Sequence, residues 1–286
     1  MARIDRPTRQ AYRACVRTAR RHYENFPVAS WLLPRPIRHP VAAIYTFARR
    51  ADDLADEGTR PDDERLRALD AMGVAVDAAA RGEAGDDPLY LALADAIPRH
   101  GLPVALFHDL LDAFRQDVTK KRYADFGEVM QYCRRSANPV GRLLLHLTGN
   151  ADEKNLALSD GICSALQLIN FYQDLVQDHE ELGRIYLPQD EMEKYGVTEA
   201  HIRERRSDVA MRRLMQHQFQ RADRMLRAGA PLGKRLRGRF GLEIRMIVMG
   251  GARIVHRLKQ QDDLFSRPRL QLRDWASIVR GALFPR

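Results

Sequence analysis

The chain has 286 residues, of which 45% are hydrophobic and 30% are charged, and it contains only three cysteines. This composition excludes a disordered chain, a collagen-like chain and a small secreted module held by disulfides. Lys and Arg outnumber Asp and Glu by 47 to 38, which gives a formal net charge of +9. Such an excess of basic residues favours acidic partners: nucleic acid, an anionic membrane surface or a phosphorylated substrate.

The sequence gives no signal for export or for membrane insertion. Residues 1–21 carry seven arginines and no apolar core, so they do not form a secretory signal. No stretch approaches the roughly 18 uncharged apolar residues of a transmembrane helix. Cys15, Cys133 and Cys163 lack the spacing of disulfide frameworks or zinc sites and are expected to be reduced. We therefore expect a cytoplasmic protein.

Apolar residues recur at helical spacing along most of the chain, for example from Val41 to Leu54 and from Ile162 to Leu175. Helix breaks are predicted where Gly and Pro gather, at 34–40, 82–88, 183–188 and 228–233, and the helix before the third break is expected to start near Ser159. No alternating pattern typical of a sheet and no flexible linker is present. The pattern predicts one all-α domain over residues 1–286, with about ten to twelve helices.

Two short acidic segments interrupt these apolar helices. Asp52 and Asp56 are four residues apart, as are Asp174 and Asp178. Four residues make about one helical turn, so each pair is expected to project from one face. The alternative for either pair alone is a solvated helix face. Because two repelling pairs recur within apolar helices without a His or Cys cluster, they favour Mg²⁺, which shares its coordination with phosphate groups.

Three stretches resemble a known family. They are HYENFPVASWLLPRPIRHPVAAIYTFARRADDLAD at 22–56, YCRRSANPVG at 132–141 and LQLINFYQDLVQDHEELGRIYLP at 166–188. They are similar to the squalene/phytoene synthase family of head-to-head prenyl synthases, and most similar to its hopanoid-associated hydroxysqualene synthase branch. The resemblance runs from His22 to Arg269. It implies an isoprenoid synthase fold, a single helical bundle around a deep apolar cavity with the two aspartate motifs at its mouth.

The same resemblance implies roles for individual residues. Those expected to act in catalysis are Asp52, Asp56, Asp174, Asp178, Tyr45 and Tyr186. Those expected to hold Mg²⁺ are Asp52, Asp56, Asn170, Asp174 and Asp178. Those expected to bind the prenyl diphosphate are His22, Arg49, Tyr132, Gln167, Asn170 and Gln173. Aromatic side chains stabilise carbocations without reacting with them, and the candidate cavity-wall residues are Phe26, Trp31, Tyr45 and Phe171.

One position departs from the family pattern. Condensing members commonly carry arginine immediately before the second aspartate motif, where this chain has Gln173. A missing cation suggests a site for one diphosphate rather than two. The resemblance to the hydroxysqualene synthase branch implies Mg²⁺-dependent ionisation and rearrangement of presqualene diphosphate, with water capture to hydroxysqualene. A separate reductase is then needed to make squalene, because no nucleotide-binding fingerprint is present.

Other functions remain to be compared with this one. Within the family, the alternative is condensation of farnesyl diphosphate to presqualene diphosphate or squalene, or of geranylgeranyl diphosphate to phytoene. Outside it, a helical carrier that has lost the chemistry would not be expected to keep four aspartates. A nucleic-acid-binding protein is disfavoured by the acidic motifs and by the absence of zinc spacing. The basic run Arg235, Arg237 and Arg239 predicts a solvated face or a contact with an anionic membrane.

Overall fold

The computed structural model describes residues 5–21 and 33–283, and within them the protein is almost entirely helical. The α-helices in chain order are α1 (Arg6–Arg21), α2 (Arg38–Asp56), α3 (Asp62–Ala80), α4 (Pro88–His100), α5 (Ala105–Thr119), α6 (Phe126–Ser136), α7 (Asn138–Leu147), α8 (Glu153–Gln173), α9 (Leu175–Leu182), α10 (Gln189–Tyr195), α11 (Glu199–Arg203), α12 (Val209–Gly229), α13 (Leu232–Arg235), α14 (Gly238–Gln260) and α15 (Leu272–Leu283). The all-α prediction is confirmed, although these fifteen helices exceed the ten to twelve expected.

Regular structure extends into all four predicted breaks. Residues 183–188, expected to be a loop, include strand β2 (Ile185–Pro188), which pairs in parallel with β1 (Arg122–Tyr123). Pro40, expected in a loop, lies in the first turn of α2, where a proline costs no helical hydrogen bond. Several short helices explain the higher helix count, because apolar periodicity does not resolve helices of four to eight residues.

The chain forms two compact units, 1–119 with 139–156, and 120–138 with 157–286. In the first unit α1 packs on α2 and α4, and α3 packs on α5. Its core includes an edge-to-face pair between Phe47 of α2 and Phe107 of α5, whose ring centroids are 5.2 Å apart. This packing holds α2 by its apolar face. The acidic end of α2 projects from that core.

In the second unit, α14 packs on α12, α13 and α15, and α12 also packs on α10. The hydroxyl of buried Tyr172 in α8 donates a hydrogen bond to Oε1 of Gln218 in α12, at 3.1 Å. The side-chain amide of Gln218 in turn donates to Glu191 of α10. A buried polar chain of this kind fixes the end of α8, because each of its groups has a partner.

Within the described ranges, no helix is both long and apolar enough to cross a lipid bilayer. The prediction of a single domain over residues 1–286 stays a prediction.

Candidate active site

The first acidic segment forms the C-terminal end of α2. Asp52, Asp53 and Asp56 are half-buried there, and Glu57 follows the last helical residue in an exposed position. The helix dipole places partial negative charge at a C-terminus, so four carboxylates at this end disfavour the isolated helix. A sequence that keeps them there needs compensating positive charge.

Arg49 supplies part of that charge from one turn earlier in α2. Its guanidinium lies 3.3 Å from Oδ2 of Asp52, 2.6 Å from Oδ1 of Asp53 and 2.8 Å from Oε1 of Glu57. Burial opposes the charge on Arg49, but these carboxylates outweigh it and raise the pKa of the guanidinium above its ordinary value. Arg50 does not share this role in the first acidic segment, because it is paired at 2.6 Å with Asp87 at the start of α4.

Arg65 of α3 binds the same C-terminal end of α2 by hydrogen bonds to the backbone. The sequence analysis did not predict this contact. Its side chain is buried and donates to the backbone carbonyls of Leu54, Ala55, Gly58 and Arg60 at 2.6–3.2 Å. Gly58 permits this turn, since its φ of +79° is one that other residues rarely adopt. Arg65 therefore donates hydrogen bonds to carbonyls that a helix C-terminus otherwise leaves without partners. Two of them, those of Leu54 and Ala55, lie between Asp52 and Asp56 in the sequence.

We expect Arg65→Lys to weaken the fold around the first acidic segment. A lysine carries the charge but cannot reach four carbonyls as a guanidinium fork does, and each buried carbonyl left unpaired costs about 1 kcal/mol. The free energy of unfolding in urea should fall by about 2–3 kcal/mol. Arg67→Lys in the same helix is the control, because Arg67 forms an exposed pair with Asp63. Equal stability of the two variants would contradict this role for Arg65.

The second acidic segment lies where α8 ends and α9 begins. Helix α8, expected to start near Ser159, starts at Glu153, and the helical assignment is interrupted at Asp174. The backbone ladder nevertheless continues, since Asp174 N–H donates to Asn170 O at 2.9 Å and Asp178 N–H donates to Asp174 O at 2.8 Å. At about 100° per residue, Gln167, Asn170, Asp174 and Asp178 therefore follow one line within about 80° of the helix circumference.

The carboxylate of Asp174 is buried and faces an arginine from a distant segment. Its Oδ1 lies 2.6 Å from Nε of Arg267, and its Oδ2 accepts a hydrogen bond from Nη2 at 3.1 Å. The shorter contact lacks the alignment of a hydrogen bond, so Oδ1 is buried without a directional donor. Burial raises the pKa of Asp174 above its ordinary value, although Arg267 and Arg269 oppose the shift.

Gln173 lies beside this pair and binds the same loop. Its side-chain Nε2 donates to the carbonyl oxygen of Pro268 at 2.7 Å, and the residue is buried. The second acidic segment therefore has a neighbouring cation. Arg267 supplies it from a distant segment, although position 173 carries no arginine. This corrects the physical premise of the one-diphosphate hypothesis. The expected role of Gln173 in substrate binding stays a prediction.

Four aromatic side chains pack together next to the second acidic segment. Phe171 and Tyr186 are stacked with ring centroids 3.7 Å apart and an interplanar angle of 6°. Tyr132 lies 5.9 Å from Phe171 and 5.6 Å from Tyr186, and Tyr123 lies 5.4 Å from Tyr186. All four are nearly inaccessible to solvent. The parallel pair β1–β2 brings Tyr123 and Tyr186 here, and the sequence analysis missed Tyr123.

The remaining predicted residues lie elsewhere in the chain or outside the described residues. Tyr45 is half-buried on α2, one turn before Arg49. His22, Phe26 and Trp31 lie outside the described residues, so their expected roles stay predictions. Arg184, which follows the second pair in the sequence, is buried, and its backbone N–H donates to Asp178 O at 2.9 Å. Asp52 and Asp56 belong to the first compact unit and Asp174 and Asp178 to the second.

The donors in both acidic segments suit a hard divalent cation. They are carboxylate oxygens with one side-chain amide oxygen, which Mg²⁺ prefers. Asp174 Oδ1 is a buried oxygen without a directional hydrogen bond, and it lies against the cationic guanidinium of Arg267, so positive charge is favoured at this atom. In residues 5–21 and 33–283, no group of three His, Cys, Asp or Glu side chains is arranged to hold a metal ion. Mg²⁺ is usually bound by one or two carboxylates together with water molecules and substrate phosphates.

A helical chain with these two acidic segments has the features of the isoprenoid synthase class. The profile of the squalene/phytoene synthase family matches residues 19–276. The hydroxysqualene synthase of Rhodopseudomonas palustris is 36% identical over 261 residues, covering 91% of this chain and 88% of that protein. The phytoene synthase of Mycobacterium tuberculosis is 36% identical over 188 residues, covering 66% of this chain and 61% of that protein.

Solved structures agree in fold. The squalene synthase HpnC of Alicyclobacillus acidocaldarius superposes with a TM-score of 0.84 at 35% identity, covering 90% of this chain and 96% of that one. A dehydrosqualene synthase at 22% identity has a TM-score of 0.82, covering 96% of each chain, and supports the fold alone. The chain belongs to the squalene/phytoene synthase family. It is an isoprenoid synthase enzyme, of a family that acts on prenyl diphosphates and generally depends on divalent metal ions.

Proposed function

We propose that the chain is a hydroxysqualene synthase that ionises presqualene diphosphate. The observation that carries the proposal is the 36% identity over 91% of the chain to a hydroxysqualene synthase, together with 35% and 34% identity to two others, from Sinorhizobium fredii and Zymomonas mobilis. The C–O bond to diphosphate breaks and the leaving diphosphate keeps the electron pair. The carbocation rearranges, water adds to it, and loss of a proton gives the alcohol hydroxysqualene.

The residues of the two acidic segments are proposed to hold the diphosphate. Asp52 and Asp56 from one segment, and Asn170, Asp174 and Asp178 from the other, would hold Mg²⁺. When bound, this ion neutralises charge that develops on the diphosphate oxygens. Arg49 and Arg267 add guanidinium groups, which bind phosphate oxygens in a bidentate manner. His22 and Gln167 are proposed to complete the polar contacts with substrate.

The aromatic residues are proposed to protect the carbocation. Phe171, Tyr132 and Tyr186 form a buried aromatic cluster three residues along α8 from Asp174. Aromatic faces attract a cation, and a site that excludes bulk water delays its capture. Tyr45 and the buried Tyr123 are also proposed to shield the carbocation. One water is then admitted to form the alcohol.

The second candidate is condensation of two prenyl diphosphates. Phytoene synthases match this chain at 36% identity over about two thirds of its length, and they are named for such a product. Arg267 strengthens this alternative, because it supplies a cation where Gln173 does not. The alternative substrates are farnesyl diphosphate and geranylgeranyl diphosphate.

Product analysis separates the two candidates. Purified protein with Mg²⁺ is given presqualene diphosphate, farnesyl diphosphate or geranylgeranyl diphosphate, and products are identified by gas chromatography with mass detection. We expect hydroxysqualene from presqualene diphosphate and no product from the other two. Presqualene diphosphate, squalene or phytoene formed from the shorter substrates would assign the chain to the condensing enzymes.

The proposed product and substrate also suggest where the enzyme works. Hydroxysqualene is an alcohol, so a separate reductase must consume it if squalene is the end product. Both the C30 substrate and the product are soluble in lipid. We propose a cytoplasmic enzyme that reaches them at the inner surface of the membrane.

A further inference from the structure

The C-terminal helix α15 exposes an unusual share of apolar side chains. Leu272, Val279 and Leu283 are 90%, 39% and 52% exposed, and they are three of the six large hydrophobic residues exposed in the described part of the chain. Monomeric proteins expose single apolar residues widely, but a concentration of them on one element marks an interaction site. The other three are Val74, Val140 and Val209, on separate helices.

These side chains form one line along the helix. At about 100° per residue, Leu272, Ala276, Val279 and Leu283 fall within about 60° of the helix circumference. Half-buried Trp275 borders this apolar stripe on one side. Exposed Arg273 and Arg280 border it on the other side, at about 80–100° from Leu272. An apolar stripe flanked by arginines is typical of a helix that lies in the surface of a bilayer.

The opposite face of α15 is fixed to α14, so the stripe is held outward. Asp274 is inaccessible to solvent and pairs with Arg253 at 2.8 Å and Arg257 at 2.6 Å. Its Oδ2 also accepts a hydrogen bond from the backbone N–H of Gln271. Near the other end, Gly281 lies so close to Met249 that an added Cβ would sit 2.1 Å from the methionine methyl group. Both contacts prevent α15 from rotating its apolar stripe inward.

A basic segment, residues 234–239 at the junction of α13 and α14, is linked to the C-terminal end of this helix. Arg245 of α14 donates from Nε to Ala282 O at 2.7 Å and from Nη1 to Gly233 O at 2.6 Å. One guanidinium group thus joins α15 to the segment that carries Lys234, Arg235, Arg237 and Arg239, all of them exposed. The segment thus adds four exposed basic side chains near the C-terminal end of α15 to the two arginines that border the apolar stripe.

We propose that α15 and the segment 234–239 form a surface that docks on an anionic phospholipid bilayer. The apolar stripe enters the headgroup region, and the arginines and lysine contact lipid phosphates. The charge around the stripe is complementary to an anionic membrane and disfavours a second copy of this chain, which would bring two basic surfaces together. The proposal rests on the proposed function in one respect: docking gives the enzyme access to a lipid-soluble substrate.

Vesicle co-sedimentation without substrate tests the proposal. The protein is mixed with vesicles of phosphatidylcholine alone, or of phosphatidylcholine and phosphatidylglycerol in equal parts. We expect binding to the mixed vesicles only, weakening with added salt. The variant L272S/L283S should bind at least about tenfold more weakly, because it removes the two most exposed apolar residues of the stripe. V74S/V140S is the matched control and should bind as the wild type does.

Charge is tested with a second pair of variants. R237Q/R239Q/R280Q should lose most of the preference for mixed vesicles. R13Q/R17Q/R20Q removes the same charge from the exposed side of α1 and should bind as the wild type does. Equal losses in both charge variants, or unchanged binding by L272S/L283S, would overturn the proposal. So would light scattering that shows a dimer abolished by L272S/L283S, with no vesicle binding. Product analysis in detergent is independent of all these outcomes.

Discussion

Replacing Asp52 or Asp174 with asparagine is expected to lower turnover about a thousandfold or more. The amide keeps the size of the carboxylate but loses the negative charge needed to hold a divalent cation beside a diphosphate. Asp52 is 40% exposed, so its loss should hardly change stability. Steady-state product formation at saturating Mg²⁺ measures the effect, and urea unfolding confirms that each variant is folded.

The matched control for both variants is Asp63→Asn. Asp63 lies on α3 and forms an exposed ion pair with Arg67, with 65% of its side chain accessible. This variant also removes one negative charge from the chain, but at a site with no proposed role. It should keep full turnover. A folded Asp52→Asn or Asp174→Asn variant that keeps wild-type turnover would refute the assignment of these aspartates.

Arg267→Gln is expected to lower kcat/KM about tenfold to a hundredfold. In the structure this arginine forms an ion pair with Asp174 of the second acidic segment. Glutamine leaves the Asp174 carboxylate without its cation and removes a bidentate donor for the diphosphate. Arg267→Lys should recover part of the loss, since the charge returns without the planar fork. Initial rates over a range of substrate concentrations separate the effect on KM from that on kcat.

Arg206→Gln is the control for this substitution. Arg206 is exposed and pairs with Glu204 at 3.2 Å on the surface of the same compact unit. Its loss changes the net charge of the chain by the same amount. Identical kinetics of Arg267→Gln and Arg206→Gln would mean that Arg267 serves only the packing of the loop.

The helical architecture and the acidic segments were predictable because both depend on local spacing. Asp174 and Asp178 are one turn apart in any helix, and the backbone ladder through Asp174 preserves that relation despite the interruption. Aromatic side chains near the second segment were also partly predictable, since Phe171 and Tyr186 belong to the stretch that resembles the family. Local sequence thus fixes which residues share a helix face.

The contacts that adjust these segments were not predictable from spacing. Arg267 is 93 residues from Asp174, and the loop that carries it has no helical or strand periodicity. Arg65 looks like one more arginine on an exposed helix, and only the turn at Gly58 brings the carbonyls of α2 within its reach. The pairing of β1 with β2 joins segments more than 60 residues apart. Each depends on tertiary packing, which short-range patterns do not encode.

The most direct test of the account is thermal unfolding with Mg²⁺ and pyrophosphate, added separately and together. A ligand present at a hundred times its Kd adds about 2.7 kcal/mol of stability. We expect the two together to raise the Tm by about 5 °C or more and each alone to have little effect. Both Asp52→Asn and Asp174→Asn should abolish the joint rise, because carboxylates of both acidic segments are proposed to hold Mg²⁺ and diphosphate. A joint rise that survives in either variant would contradict that assignment.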